Sequence, residues 1–443
     1  MQSAGEGPAA GAAVAIQGED ASPLTNLNFL AHLLEGAGRH ALRASEDIVS
    51  RSGVRLVPRG AAIDEKLRER LMQHKLERPL EDCVEMQDGL KPASLVAPAQ
   101  ALLQRHPLVA ALCESREAMP IPDWLGGLRL TGPVQALLTL YAENPDAPPG
   151  RLEHALGVAM LSVALARRLV PQRAATQREL ALAGLLHDVG ELYIDPAFFR
   201  PGSVMSPERW RQIASHPVTA HRVLFTLPGA GPRVAQAVLE HHERQDGFGY
   251  PRGLAGDELS LPGQILAFSE WLMGLVEAQP ASTVRAVVAT KLVPGEFDPR
   301  LPELLREAAA TRGMPAAAPA AGAPGLQELR LGLARFAALG QGPEAPTDLA
   351  LAPVLAQGEQ RVRRLQLAFS SAGLDVAPPH WPDAPEVRDD RRLQQELLAL
   401  LGEFGWRLRE VERACLLRAG LLGDEALARV QALIAEPGTG TRG

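Results

Sequence analysis

Between His154 and Glu270 the chain repeats one arrangement: an apolar, helix-forming run that ends on, or carries, an imidazole or a carboxylate. His154, His187-Asp188, His216, His241-His242 and Glu270 fall at these points, in a chain with 11 histidines. A carboxylate or imidazole inside an apolar helix is costly unless it is paired or metal-bound, so a fold that accepts this pattern must bring the polar ends together. Helices converging on a buried metal site in an all-helical domain meet that demand. The segment 179–192, ELALAGLLHDVGEL, shows it most plainly. Leu180, Leu182, Leu185, Leu186 and Val189 make an apolar helix that ends at Gly190, with His187 and Asp188 in its last turn. Adjacent residues on a helix point about 100° apart, so both reach one metal only near an end or a crossing. His241 and His242 are expected to end a helix over 233–243, and Glu270 sits among Phe268, Trp271, Leu272 and Met273. Singly, each reads as a satisfied buried polar group; together they read as ligands. One loop, Gln245-Asp246-Gly247-Phe248-Gly249-Tyr250-Pro251, is too dense in glycine and proline to be helical.

The rest of the chain supplies context rather than chemistry. Its 443 residues suffice for two or three cores, and 46% apolar residues with only 4% aromatics favour helices packed through Ala and Leu. A net charge of −7 argues against general nucleic-acid binding and against an anionic membrane surface. Cys83, Cys113 and Cys415 are odd in number and outside any C-x-x-C pattern, so neither a disulfide framework nor a thiolate metal site is indicated. No apolar run is long and charge-free enough to span a bilayer, so the expected location is the cytoplasm.

The expected fold is mainly α: a helical bundle carrying the histidines, a small N-terminal α+β module and a C-terminal helical region. Residues 1–23, rich in Gly and Ala and without Lys or Arg, read as a disordered leader. Residues 24–118 form the small module, with helical periodicity over 24–44, strand-like runs at 47–49, 54–57 and 61–63, a helix at 65–76 capped by Asp64, and a helix over 98–113. The bundle occupies 119–312, including a helix from Gly132 to about Ala142. An Ala/Pro/Gly linker follows at 313–325, and 326–443 reads as helices with charged outer faces, over 326–339, 349–372 and 391–434.

The order H…HD…H…HH with the loop HHERQDGFGYPRGL resembles the HD-GYP family of HD-domain phosphohydrolases, over about residues 130–310. The preceding run SGVRLVPRGAAIDEKLRERLMQHKLERPLE looks like the small module found before many such domains. The resemblance implies an all-helical domain that hydrolyses cyclic di-GMP with two or more divalent ions, iron or manganese. Carried over by position, His154, His187, Asp188, His216, His241, His242 and Glu270 are metal ligands, with His187 and Asp188 the catalytic pair and Asp188 shared between metals. Gly247, Gly249, Tyr250 and Pro251 of the loop, and Glu191, stand where the family meets its substrate. The partners implied are a cyclic dinucleotide or other phosphoester ligand, a signalling protein such as a GGDEF-type cyclase, and a homodimer, but neither DNA nor membrane. The chemistry is self-consistent: cations held by imidazole and carboxylate lower the pKa of water and neutralise charge on phosphoryl oxygens, so no serine or cysteine nucleophile is needed.

The chain departs from the family at several positions. The family's HD-I-G-K lysine, which contacts phosphate, is Glu191, and its aspartate at the first metal is Glu270. Met273, Gln264 and the segment 279–282 also lack expected charges. An anion at 191 should repel a diphosphate in a low-dielectric pocket. Two further readings therefore stand beside the phosphodiesterase: a catalytically degenerate regulatory module that binds a signalling partner, and a hydrolase of another phosphoester. The remaining features have plain readings. Glu243 and Asp246 either orient ligands or are solvated at a helix end, His221 is a surface or core residue, Trp210 and Trp271 pack, and Arg363-Arg364 and Arg391-Arg392 are solvated helix faces.

Overall fold

The structure, a computed structural model, describes residues 26–115, 118–199, 205–278, 282–311, 325–337 and 350–435. The expected leader at 1–23, nearly all of the linker at 313–325 and most of the segment 279–282 lie outside the described residues.

The first helix, α1, runs over Leu27–Arg39 and is capped by the Asn26 side chain, which accepts from the amides of Asn28 and Phe29. It stops short of the helix expected through residue 44. Leu42–Ala44 is instead strand β1, because an antiparallel partner is available far along the chain: Leu42 faces Met86 and Ala44 faces Val84 of β4, Val84–Met86. The hairpin β2, Ile48–Val49, with β3, Arg55–Val57, lies where the strand-like runs predict it. The helix expected at 65–76 is a single 3-10 turn, Glu65–Leu67, followed by α2, Arg68–Gln73, and Asp64 caps it by accepting from Lys66 N–H. The helix expected over 98–113 breaks into α3, Val96–Arg105, and α4, Pro107–Cys113, at a proline that cannot donate to the ladder.

Short α5, Ile121–Gly126, leads to α6, Gly132–Ala142, then α7, Arg151–Leu169, and α8, Ala174–Leu186. Next come α9, Pro207–Ala214, α10, His216–Thr226, and α11, Pro232–Glu240. The bundle closes with α12, Leu261–Ala278, α13, Ser282–Leu292, and α14, Arg300–Thr311. One continuous hydrophobic core runs from Phe29 to Ala309, so the N-terminal module and the bundle share buried surface. The ring of Phe29 stacks on Tyr193 with centroids 4.7 Å apart, which docks α1 against the turn that follows His187-Asp188.

A second core gathers α15, Leu326–Ala337, α16, Leu351–Ser371, α17, Pro385–Asp389, α18, Arg391–Leu422, and α19, Asp424–Ala435. The helical period expected over 391–434 is interrupted at Gly423, whose φ of 133° lies outside the helical region. Phe248, Leu292 and Val293 of the bundle belong to this second core as well. Cys83, Cys113 and Cys415 are buried and unpaired. Among the described residues no helix is long and apolar enough to cross a membrane.

Candidate metal centre

Five helices bring the ligand-type residues together. His154 lies in the first turn of α7, and His187 caps the C-terminal end of α8, so that Asp188 can swing out of the helix at φ −99°, ψ 5°. His216 opens α10, His241 caps the end of α11 with His242 next, and Glu270 projects from the middle of α12. Helix ends thus place adjacent ligand-type residues as the sequence predicts. Gly190 lets the turn after Asp188 lie against α10: a Cβ there would meet the His216 carbonyl oxygen at 2.1 Å.

Three imidazoles are oriented by their own backbones. Nδ1 of His187, His216 and His241 lies 2.8, 2.7 and 2.5 Å from the carbonyl oxygens of Gly184, Ile213 and Val238. A ring that donates from Nδ1 keeps a lone pair on Nε2, and all three Nε2 atoms face the interior of the site. His216 Nε2 and His241 Nε2 are only 3.0 Å apart. With both rings neutral and Nδ1–H donated on each, two Nε2 lone pairs would oppose each other, which a cation, or a proton held on His216 by Asp188, relieves. His187 Nε2 is fully buried and has no well-aligned hydrogen-bond partner among the described residues, although carboxylate oxygens of Asp188 and Glu270 lie 3.1 and 3.2 Å away. Asp188 serves both sides: Oδ1 is 3.2 Å from His216 Nε2, and Oδ2 is the oxygen near His187. Ligand atoms of Asp188, His216, His241 and His242 all lie within 4.8 Å of one another, as do those of His154, His187 and Asp188. Glu270 reaches the second group through His154 Nε2, 2.9 Å away. Buried, inward-facing imidazole nitrogens, shared carboxylates and borderline N/O donors fit divalent cations.

The electrostatics agree. Burial pushes the His241 imidazole down to about 4 and, with His241 and His216 beside it, holds His242 well below its usual range. Burial also works against charge on His187, but Asp188 and Glu270 raise it to about 10. The same contacts, against the cost of burial, hold the Asp188 and Glu270 carboxyls well below the ordinary carboxylate range. The site therefore holds a dense set of carboxylates and imidazoles that a proton only partly satisfies.

Around these groups lie residues that sequence reasoning missed. Tyr141 O–H donates to Asp188 Oδ2 at 3.1 Å, and nothing local marks Tyr141 out. Glu277 lies 2.9 Å from His154 Nδ1, and its place seven residues after Glu270 on one helix was a usable signal. Arg151, one helical turn before His154, donates through Nη2 to Glu191 at 2.5 Å and lies over the Tyr141 ring. Its Nη1 is buried with no hydrogen-bond partner among the described residues. Glu191 is therefore a member of an ion pair and not an isolated anion, contrary to the repulsive role read from the sequence. A cleft of about 600 Å³ opens beside His154, lined by Arg105, His106, Tyr141, Arg151, Glu191 and Phe199 among others.

The loop 245–251 closes the opposite side. Tyr250 N–H donates to the His242 carbonyl at 3.1 Å, and its ring stacks on the His242 imidazole with centroids 4.6 Å apart. Gly247, Gly249 and Pro251 are buried. Gly249 packs so closely that a Cβ would meet Glu243 Cα at 2.4 Å. Glu243 is not solvated: it is buried and accepts from the amides of Arg252 and Leu254. Gln264 donates to the Leu259 carbonyl, Met273 packs beneath Gly157, Trp210 meets the edge of Tyr250, and half-buried His221 contacts Phe225.

Residues 140–292 match the family described as HD domain. This part of the chain is similar to HD domains. The chain is 34% identical over 157 residues to a cyclic di-GMP phosphodiesterase of Pseudomonas aeruginosa, covering 33% of this chain and 36% of the relative. It is 28% identical over 215 residues to the 3'3'-cGAMP-specific phosphodiesterase 3 of Vibrio cholerae, covering 47% and 46%. A cyclic di-GMP phosphodiesterase response regulator of Xanthomonas campestris is 30% identical over 162 residues, covering 35% and 41%. The match thus spans between about a third and a half of the length of these curated relatives. The HD domain and its His/Asp cluster make a divalent-metal-binding arrangement.

Proposed function

We propose that the HD domain is a metal-dependent phosphodiesterase that opens a cyclic dinucleotide of the cyclic di-GMP class to a linear dinucleotide or GMP. The observation that carries this reading is Asp188, whose two oxygens face two separate groups of ligand atoms. His216, His241 and His242 with Asp188 would hold one cation, and His154, His187 and Glu270 with Asp188 another, iron or manganese on the donor set. When bound, such ions lower the pKa of water and neutralise charge that develops on phosphoryl oxygens.

The chain's own residues do the rest. The Nδ1-to-carbonyl hydrogen bonds of His187, His216 and His241 fix which nitrogen faces inward. Tyr141 orients Asp188 by donating to Oδ2. The cleft beside His154 admits the ligand, where Arg151, tethered by Glu191, offers an unpaired N–H to a phosphate oxygen. Tyr250 presents an aromatic wall on which a base can stack, with Gly247, Gly249 and Pro251 shaping the turn that carries it. Arg151 answers the main argument for a degenerate module, because the cation missing at position 191 is supplied from α7. On the same resemblance, the protein works in the cytoplasm as a dimer beside a GGDEF-type cyclase; size-exclusion chromatography and a pull-down with a purified cyclase check those two points.

The test pairs metal content with turnover on one sample of anaerobically purified full chain. Two or more iron or manganese ions with cyclic di-GMP hydrolysis are expected, and both should disappear in His187→Ala and in Asp188→Ala. Metal with no cyclic di-GMP turnover moves the substrate to 3'3'-cGAMP or another phosphoester on a panel. A parent chain that binds no metal sinks the reading.

A further inference from the structure

The C-terminal helices take no part in the chemistry above, yet their buried charges converge on one loop of the HD domain. Arg361 on α16 pairs with Asp246, and both side chains are 2% exposed. Arg364, one turn fragment further, reaches the same carboxylate at 3.0 Å, so only Arg363 of that pair is the solvated residue the sequence suggested. Arg361 Nη2 also donates to Glu296 at 2.6 Å, and Arg407 of α18 joins it on the same oxygen at 2.7 Å. The Glu296 carbonyl in turn accepts from Gln245 N–H, the first residue of the loop. Arg418 on α18 donates from a single Nη2 to two successive carbonyls, Phe248 at 2.7 Å and Gly249 at 3.0 Å. The Phe248 ring has both guanidinium groups close to it, with its centroid 4.9 Å from Arg361 Cζ and 5.1 Å from Arg418 Cζ.

Buried ion pairs are poor adhesive, because desolvation offsets most of their attraction and an apolar contact would hold two surfaces at least as well. What they supply is geometry: guanidinium forks fix direction and register. Here the fixed object is a backbone turn. The atoms after it transmit its position directly, through the Gly249 contact with the Glu243 backbone, the Tyr250 amide bond to the His242 carbonyl, and the stacking of Tyr250 on His242. We propose that α16 and α18 form a clamp that positions the loop 245–251 and, through Tyr250, the His242 imidazole, with Arg361 and Arg418 as the positioning residues. The clamp makes the C-terminal region a part of the metal centre's support, and it rests on the assignment of His242 as a ligand.

Full-length Arg418→Ala is compared with Arg330→Ala, a matched control. Arg330 also donates to carbonyls, those of Leu374 and Ala377 in the same C-terminal core, and among the described residues it makes no hydrogen bond to the loop. Two quantities are read beside melting temperature: amide hydrogen exchange of the segment 245–251, and the dissociation constant for Mn²⁺ added to the metal-free chain. Arg418→Ala should speed exchange in that segment on the order of tenfold and weaken Mn²⁺ binding about tenfold. Arg330→Ala should do neither, even where it lowers melting temperature as much. Arg418→Lys, which keeps a buried cation but loses the rigid planar fork, should show both changes at smaller amplitude and replaces the alanine variant if that chain does not fold. Unchanged exchange in the Arg418 variants, or an equal change in Arg330→Ala, overturns the clamp. A parent chain that binds no Mn²⁺ overturns the ligand assignment instead, and the exchange comparison then decides the clamp by itself.

Discussion

Glu191→Lys separates two views of this site. From the sequence alone, the change restores a cation that the family uses for phosphate, and activity should rise. In the folded chain Glu191 accepts from Arg151 at 2.5 Å, with the two side chains 16% and 9% exposed. Opposite unit charges at ~4 Å interact by about 4 kcal/mol at an effective dielectric constant of ~20. Breaking a buried pair and leaving one charge unmatched costs about 3–5 kcal/mol. Lysine at 191 does that and sets an ammonium against a guanidinium as well. The expected outcome is a loss of stability of about 3–5 kcal/mol and slower hydrolysis, and Arg151→Glu in the same chain should restore much of the stability by reversing the pair. Urea denaturation of the two single variants and the double variant, with rates on each, measures both. The pair also predicts a pH dependence. Burial pushes Glu191 from its ordinary 4.5 up to about 7, so the folded chain favours the protonated form. Its contribution to stability is fully present below 4.5 and is lost as pH rises through 7. Arg151→Met should therefore cost little at pH 5, where Glu191 carries a proton, and most at pH 8. A Glu191→Lys chain as stable as the parent and faster in hydrolysis would refute this account of the pair.

Two other outcomes follow from the same geometry. His187, raised to about 10, and His154, raised well above 6.5, hold protons near neutrality that a metal must displace. Mn²⁺ affinity should thus rise with pH between 6.5 and 9, by about tenfold per unit for each proton displaced; calorimetry in two buffers of different ionisation enthalpy counts the protons, and a count of zero rejects the ligand set. Gly190→Ala should destabilise the chain by roughly 1–3 kcal/mol or more, because its Cβ would lie 2.1 Å from the His216 carbonyl oxygen. A Gly190→Ala chain with parental melting temperature and metal content would show that the packing of this turn on α10 is looser than described.

What could be read from the sequence is what neighbouring residues enforce. Apolar periodicity and an N-cap or C-cap lie within one or two turns, so α6, α8 and α11 fall close to their expected places, with His187 and His241 at helix ends. The seven ligand-type side chains are assembled for the same reason: each marks a helix end or face whose apolar side must turn inward. Where the expectation failed, a distant partner decided. Residues 42–44 pair with 84–86, although their local pattern suits a helix.

The charges show the division most clearly. Glu191 reads as an unpaired anion because its cation is 40 residues away, and Asp246 reads as a ligand-orienting or solvated residue because Arg361 is 115 residues away on a helix from the other core. Tyr141 reaches Asp188 across 47 residues with no periodic relation between them. Sequence by itself marked which imidazoles and carboxylates end apolar helices, since helix geometry is local and burying an unpaired carboxylate is prohibitive. Only the tertiary structure decided which charges neutralise one another and which helices hold the loop, since electrostatic partners are chosen by proximity in space and carry no mark in the chain.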